Sequence, residues 1–272
     1  MSNIDVFEYP WLPAEDSHDV ACCICNGVNP TRSVHALTIN GKEFEIRQCE
    51  TDDLLFLSPQ PGTQYAEALY NHESYFGEVN DAYGHFVTKE SGMTTGEYRL
   101  RELTERKIQP ANFLEIGCGL GYTLEVFAKA GIKTTGIEFS AESVAHGNER
   151  GLDVHLGTVE EPIPANVAAG QSYDAIALYS VLEHVPNPVS FLERLTPLLS
   201  PEGTLIIRVP RMSAEGPWVS LLDHYWHFTP ESLQRALEMQ GFTLYDSYPS
   251  GAFVDTKGMV LESMTVLAKR SI

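Results

Sequence analysis

Gly117, Gly119 and Gly121 stand in the spacing G-x-G-x-G between the apolar run Phe113-Leu-Glu-Ile116 and a helical pattern. Residues without a Cβ let the chain turn sharply and bring backbone N–H groups against a ligand at the carboxyl end of a strand. The spacing is not the dinucleotide fingerprint, whose third glycine would fall on Tyr122. Glu115, just before the turn, would repel a pyrophosphate and suits a cationic ligand. The next apolar run, Lys133-Thr-Thr-Gly-Ile-Glu138, closes on an acid, and a carboxylate there can accept both hydroxyls of a ribose. Strand, glycine turn, helix, strand and acid together form an adenosine half-site.

Proton transfer near neutrality calls for histidine. His184 sits in Leu-Glu-His-Val-Pro, and His224 and His227 lie three apart in Asp-His-Tyr-Trp-His-Phe, so that one turn can point them together. These are the candidate bases, with loop ordering or packing as the alternative for each. Trp218, Tyr225 and Trp226 beside them suggest a shaped, partly apolar acceptor pocket. A third group lies near the amino terminus, where Cys22-x-x-Cys25 and Cys49-x-x-Asp52 nearly supply two knuckles of a tetrahedral zinc site. Structural zinc on Cys22, Cys25, Cys49 and Asp52, with Cys23 or His35 able to substitute, is one reading. A metal-free ribbon held by packing of Leu54, Phe56 and Leu57 is the other, although so small a piece usually needs a staple.

The elements that must position these groups follow from the pattern. Residues 1–62 read as short extended pieces ending in the linker candidate Ser58-Pro-Gln-Pro-Gly62, and 63–109 as a polar and aromatic helical lid. From 110 to 272 strands and helices alternate: strand 111–116, helix 121–130, strand 133–138, helix 141–149, strands 153–156 and 173–179, helix 188–199, strand 203–209 and helix 230–240. That order predicts an α/β domain with a mostly parallel sheet wound on both faces. The tail, Phe242–Tyr248 and Ser263–Ala268 without an intervening helix, predicts an antiparallel carboxy-terminal hairpin at the sheet edge.

A chain of 272 residues with 43% hydrophobic content buries one large core plus a small appendage. The net charge of −19 leaves no cationic field for a polyphosphate backbone, so nucleic acid is not an expected partner. No stretch reaches membrane-span length and the first residues lack a signal pattern, which predicts a cytoplasmic protein without a membrane partner. The five cysteines then read as reduced thiols or metal ligands. Nothing in the sequence sets the oligomeric state.

At these motifs the chain resembles the class I S-adenosylmethionine-dependent methyltransferases of the small-molecule type. The glycine stretch Phe113–Tyr122, the run Tyr173–Pro188, the run Pro201–Pro210 with its Pro-x-Gly entry, and His227–Leu233 match four ordered motifs, over roughly residues 65–270. The resemblance implies a Rossmann-like sheet with S-adenosyl-L-methionine as cofactor. It lays Gly117, Cys118, Gly119, Gly121 and Tyr122 under the methionine and ribose, turns Glu115 to the ammonium end, and gives Glu138 and Phe139 the ribose. Thr158, Val159 and Glu160 fall at the adenine, with Thr158 where the family usually has aspartate, and Tyr179 borders the methionine. Cys49-Glu-Thr-Asp-Asp followed by an apolar run and Pro59 resembles the zinc-ribbon segment fused to some members, with Asp52 in place of the fourth cysteine. Ubiquinone-pathway and small-RNA methyltransferases carry Glu-x-x-Glu-His around magnesium. Here the chain supplies Glu183, His184 and the later His227, Ser180 stands in place of the first glutamate, and a catalytic divalent ion is not expected. The implied reaction is methyl transfer to a small molecule, first to a hydroxyl of a sugar, glycan precursor or secondary metabolite. Carbon methylation of a nucleotide-linked ketosugar, or a donor-binding scaffold without turnover, are the alternatives.

Overall fold

The computed structural model of the chain describes residues 5–7, 17–39, 41–62, 64, 88–158, 161–169, 171–211, 224–254 and 260–271. Val159, Glu160, Trp218 and most of the expected lid lie outside the described residues. The elements of the large unit are α1 (Lys89–Glu105), β7 (Asn112–Ile116), α2 (Tyr122–Lys129), β8 (Lys133–Glu138), α3 (Ala141–Glu149), β9 (Val154–Leu156), the short α4 (Ala165–Ala168), β10 (Tyr173–Tyr179), α5 (Pro188–Leu195), β11 (Leu199–Pro210), α6 (Pro230–Met239), β13 (Phe242–Val254) and β14 (Val260–Arg270). The sheet runs in the order β13-β14-β11-β10-β7-β8-β9, parallel from β11 to β9 and antiparallel at the β14 and β13 edge.

The two-residue side-chain period sorts these strands into two cores. Leu114, Ile116, Ile176, Leu178, Leu205 and Ile207 pack toward α5 and α6 through Phe191, Leu195 and Leu233. Phe113, Ala175, Ala177 and Ile206 pack toward α1 and α2 through Leu103, Leu124 and Phe127. Helix α1 presses onto α2 where its small residues allow it: a Cβ on Gly92 would lie 2.2 Å from the Tyr122 ring, and one on Gly96 2.9 Å from Val126. The helix expected over 188–199 ends at Leu195, because Pro197 cannot donate to the preceding turn, and passes through the 3₁₀ turn Thr196–Leu198 into β11, four residues earlier than expected.

The amino-terminal piece is a second sheet. β1 (Asp5–Phe7), β3 (Thr31–Ile39), β4 (Lys42–Cys49) and β5 (Leu55–Ser58) are joined by a strand from far along the chain, β12 (Trp226–His227), which pairs antiparallel with β5. The Pro/Gly cluster at 58–62 is no loose linker. Gln60–Pro61 (β6) are buried and pair with Ser17–His18 (β2). Thr229 Oγ1 donates to the Asp53 carbonyl, and Trp226 stacks obliquely on Phe56 with ring centroids 5.9 Å apart. The ribbon is thereby sewn to the large unit.

Candidate active site

The glycine turn forms as its sequence requires. Gly117, Gly119 and Gly121 adopt φ of 72°, 53° and 76°, and a Cβ on Gly117 would strike Val181 at 2.4 Å. Glu138, buried at the end of β8, ties this loop down: Oε2 accepts from Gly119 N at 2.7 Å, while Oε1 accepts from Phe139 N at 2.7 Å and Ser140 N at 3.0 Å. Burial raises its pKa, and the three N–H donors oppose the rise. Cys118 points inward, where the thiol fills the space over Gly136, and burial holds it protonated. Tyr122 lies between α1 and Arg150, whose guanidinium stands 4.7 Å from its ring centroid. Thr158 is exposed and closes a local turn with Glu161.

Glu115 carries a partner that its sequence context does not announce. Its Oε1 accepts from Arg99 Nη1 of α1 at 2.9 Å, and the same nitrogen donates to Thr123 Oγ1 at 2.7 Å. Burial lifts Glu115 to about 7 against the pull of Arg99. The Arg99 guanidinium also lies 3.7 Å from the ring centroid of Tyr179, at the carboxyl end of β10. Arg99 sits sixteen residues before Glu115 in a polar helix, so no local motif flags it.

Beyond β10 the 3₁₀ turn Leu182–His184 brings two of the three histidines together. The rings of His184 and His224 meet edge to face with centroids 4.5 Å apart, and His184 Nε2 lies 4.0 Å from Glu183 Oε1. The candidate ligand atoms of Glu183, His184 and His224 all fall within 4.8 Å of one another. Tyr225 N donates to the Glu183 carbonyl at 2.9 Å, which fixes this turn against β12. His227 is elsewhere: it is 1% exposed inside β12, its centroid 6.4 Å from that of His224, with neither ring nitrogen hydrogen-bonded among the described residues. Tyr225 and Trp226 are likewise buried at the ribbon junction, and Trp226 Nε1 donates to the Val185 carbonyl at 2.8 Å, so they brace the turn.

The His227 environment makes a stability prediction. Burial, with His184 nearby, pulls its pKa down to about 3, below the ordinary 6.5 of the unfolded chain. A depressed base contributes stability that is present above pH 6.5 and is lost as pH falls toward the folded value. Chemical denaturation should show a loss on the order of 2 kcal/mol from this group by pH 5. His227→Leu should flatten that limb, and parallel pH profiles for both proteins would contradict the assignment.

The family model described as a methyltransferase domain matches residues 95–247, from α1 through β13. The chain belongs to the methyltransferase domain family. A ubiquinone biosynthesis O-methyltransferase of Actinobacillus pleuropneumoniae serotype 7 (strain AP76) is 36% identical over 99 residues, covering 34% of this chain and 42% of that protein. The namesake enzyme of Dinoroseobacter shibae is 28% identical over 171 residues, 56% of this chain and 64% of its own. The chain thus spans less than half the length of the first of these curated relatives. Among solved structures, 1,6-didemethyltoxoflavin-N1-methyltransferase of Burkholderia thailandensis, with bound 1,6-didemethyltoxoflavin and S-adenosylhomocysteine, aligns at a TM-score of 0.55 and 20% identity, over 84% of this chain and 96% of that one. The CcbJ methyltransferase of Streptomyces caelestis aligns at 0.53 and 12%, over 75% and 98%. Both likenesses concern the fold. No described helix is long and apolar enough to cross a membrane.

Outside the methyltransferase domain the ribbon gathers its four expected ligands. The ligand atoms of Cys22, Cys25, Cys49 and Asp52 lie within 4.8 Å of one another. Cys25 and Cys49 Sγ are 3.8 Å apart, and Asp52 Oδ2 is 3.2 Å from Cys49 Sγ and 3.6 Å from Cys22 Sγ. Zinc–sulfur bonds of about 2.3 Å and zinc–oxygen bonds of about 2.0 Å in a tetrahedron require edges of about 3.8 and 3.5 Å. Arg235 of α6 donates to Asp52 Oδ1 at 3.0 Å and to the Thr51 carbonyl, which orients the carboxylate from behind. Burial would raise the Asp52 pKa, but hydrogen bonds from Cys49, Cys25 and Arg235 draw it down.

Proposed function

We propose that the chain transfers a methyl group from S-adenosylmethionine to an oxygen of a small molecule. One observation carries the reading: the glycine loop held by Glu138 and the turn that brings His184 to His224 follow two adjacent parallel strands, β7 and β10, at their carboxyl ends. The residues present fit the donor. Two buried carboxylates, Glu115 and Glu138, flank a turn whose backbone can approach a ligand, and the donor is a cation. Gly117, Cys118, Gly119, Gly121 and Tyr122 would lie along it, with Glu138 and Phe139 at the ribose, Thr158 toward the adenine, and Glu115 with Arg99 at the amino-acid end. The sulfonium supplies an already activated methyl, so the protein's task is alignment and exclusion of water. His184, oriented by Glu183 and braced by His224, takes the acceptor proton, and buried His227 supports the turn. A sugar, glycan-precursor or secondary-metabolite hydroxyl is the acceptor we favour, and its support is this histidine pair together with the acidic charge balance.

The reading is tested by calorimetry with S-adenosylhomocysteine and by a mass search for metabolites gaining one methyl. Donor binding without any product would favour a scaffold. The mutual approach of Glu183, His184 and His224 also favours a second reading, a divalent ion at the acceptor. Turnover that survives exhaustive chelation removes it.

We also propose that Cys22, Cys25, Cys49 and Asp52 hold structural zinc, a reading supported by their gathering within 4.8 Å of one another and by Cys25–Cys49 and Cys22–Asp52 separations of 3.8 and 3.6 Å, close to tetrahedral edges. Protein purified without chelator should carry one zinc per chain, and Asp52→Ala should lose most of it and melt at lower temperature. A zinc content near zero in the wild type would leave the ribbon metal-free.

A further inference from the structure

We infer that Arg208 is the anion-binding residue of the acceptor site, so that the acceptor carries a carboxylate or a phosphate near the atom that is methylated. This deepens the transferase reading and rests on it. Strand alternation places Glu115 of β7, Tyr179 of β10 and Arg208 of β11 on one face of the sheet, beneath α1, and Tyr179 and Arg208 are paired in register. The charges on that face form a row. Glu115 binds Arg99 at 2.9 Å, the Arg99 guanidinium covers Tyr179 at 3.7 Å, and Arg208 stands on the next strand.

Arg208 is only partly satisfied. Its Nε–H donates to the Ser250 carbonyl at 3.1 Å, and among the described residues no other hydrogen bond or ion pair takes its remaining N–H groups. Burial lowers its pKa and the like charge of Arg99 adds to the effect, while Glu183 and Glu102 offset it from a distance. Other acids nearby are engaged: Glu102 accepts from the Tyr98 hydroxyl at 2.8 Å, and Asp246 from Arg106 at 3.3 Å. A part-buried guanidinium beside a second one is unfavourable unless it meets an anion, and its planar fork fits carboxylate or phosphate through two parallel bonds. The Ser180 N–H, which leads into the His184 turn, donates to the Arg208 carbonyl at 2.8 Å, and the charge of Glu183 in that turn acts on the guanidinium, so Arg208 and the candidate base belong to the same end of the sheet. The donor's own carboxylate is the rival anion. Arg208 lies two strands from Glu115 and the glycine loop, whereas Arg99 already bonds Glu115 directly.

The test uses the full chain loaded with S-adenosylhomocysteine and follows the arginine side-chain Nε–H resonances by NMR, the Arg208 signal being assigned by its loss in Arg208→Gln. Acetate, inorganic phosphate and neutral acetamide are titrated in turn. The expected result is a saturable shift of the Arg208 signal by the anions at millimolar concentration and none by acetamide. The tighter of acetate and phosphate identifies the group carried. Arg208→Gln should abolish the anion effect while S-adenosylhomocysteine affinity stays within about twofold of wild type, and Arg208→Lys, which keeps charge but not the fork, should weaken it. An unmoved Arg208 signal, or equal responses to acetate and acetamide, overturns the proposal alone. A tenfold or greater loss of S-adenosylhomocysteine affinity in Arg208→Gln overturns it in favour of the donor's carboxylate. Absence of S-adenosylhomocysteine binding in the wild type overturns the transferase reading and this proposal with it.

Discussion

Gly119→Val is expected to abolish binding of S-adenosylhomocysteine while the protein remains folded. The residue holds φ at 53°, a region that costs a β-branched side chain about 1–2 kcal/mol, and its N–H is bound by Glu138 at 2.7 Å. The substitution therefore distorts the loop where the backbone must approach the donor, while Gly119 contributes no side chain to either hydrophobic core. Glu138→Ala acts on the same device from the other side. Loss of a charge-assisted contact to a ribose alone weakens binding about ten- to a hundredfold, and release of Gly119, Phe139 and Ser140 from their shared acceptor should push the effect to the upper end. Calorimetry with unchanged affinity in both variants would refute the cofactor assignment.

His184→Ala should lower turnover by ~10²- to 10⁴-fold with donor affinity near wild type, the pattern of a lost proton acceptor. His224→Ala should fall short of this, because it removes a ring that meets His184 edge to face and leaves the proton acceptor in place. If both variants keep near-normal turnover, the acceptor arrives already nucleophilic and the pair is structural.

The boundaries of β8, β10 and α3 were legible to the residue, because apolar runs bounded by glycine, proline and capping residues leave little choice of period. Ser140, whose hydroxyl accepts from Ser143 N, is such a signal at the start of α3. The sheet edge was legible too, since two strands without a helix between them must run antiparallel. Other features left no local trace. β12 is two residues long and acquires strand geometry only by pairing with β5, more than 160 residues earlier in the chain, so His227 reads from sequence like an exposed loop histidine. The Arg99–Glu115 pair joins a polar helix to a buried strand, and the approach of α1 to α2 depends on which neighbour Gly92 and Gly96 face. The four ribbon ligands were readable from their knuckle spacing. The support of Asp52 by Arg235 comes from a helix 183 residues away and could be learned only from the fold.

The recruitment of β12 into the ribbon sheet makes the two parts of the chain heritable only together. A bead-on-a-string appendage can be gained, lost or exchanged by recombination at its linker, and the remainder still folds. Here a cut after Gly62 would strip β5 from Trp226 and His227 and leave Phe228, which is fully buried, facing water. An unpaired strand edge flanked by exposed aromatic side chains invites association with other copies. Lineages that shed the ribbon would need compensating changes at 224–229 in the same step, so substitutions on the two sides of this seam should co-vary.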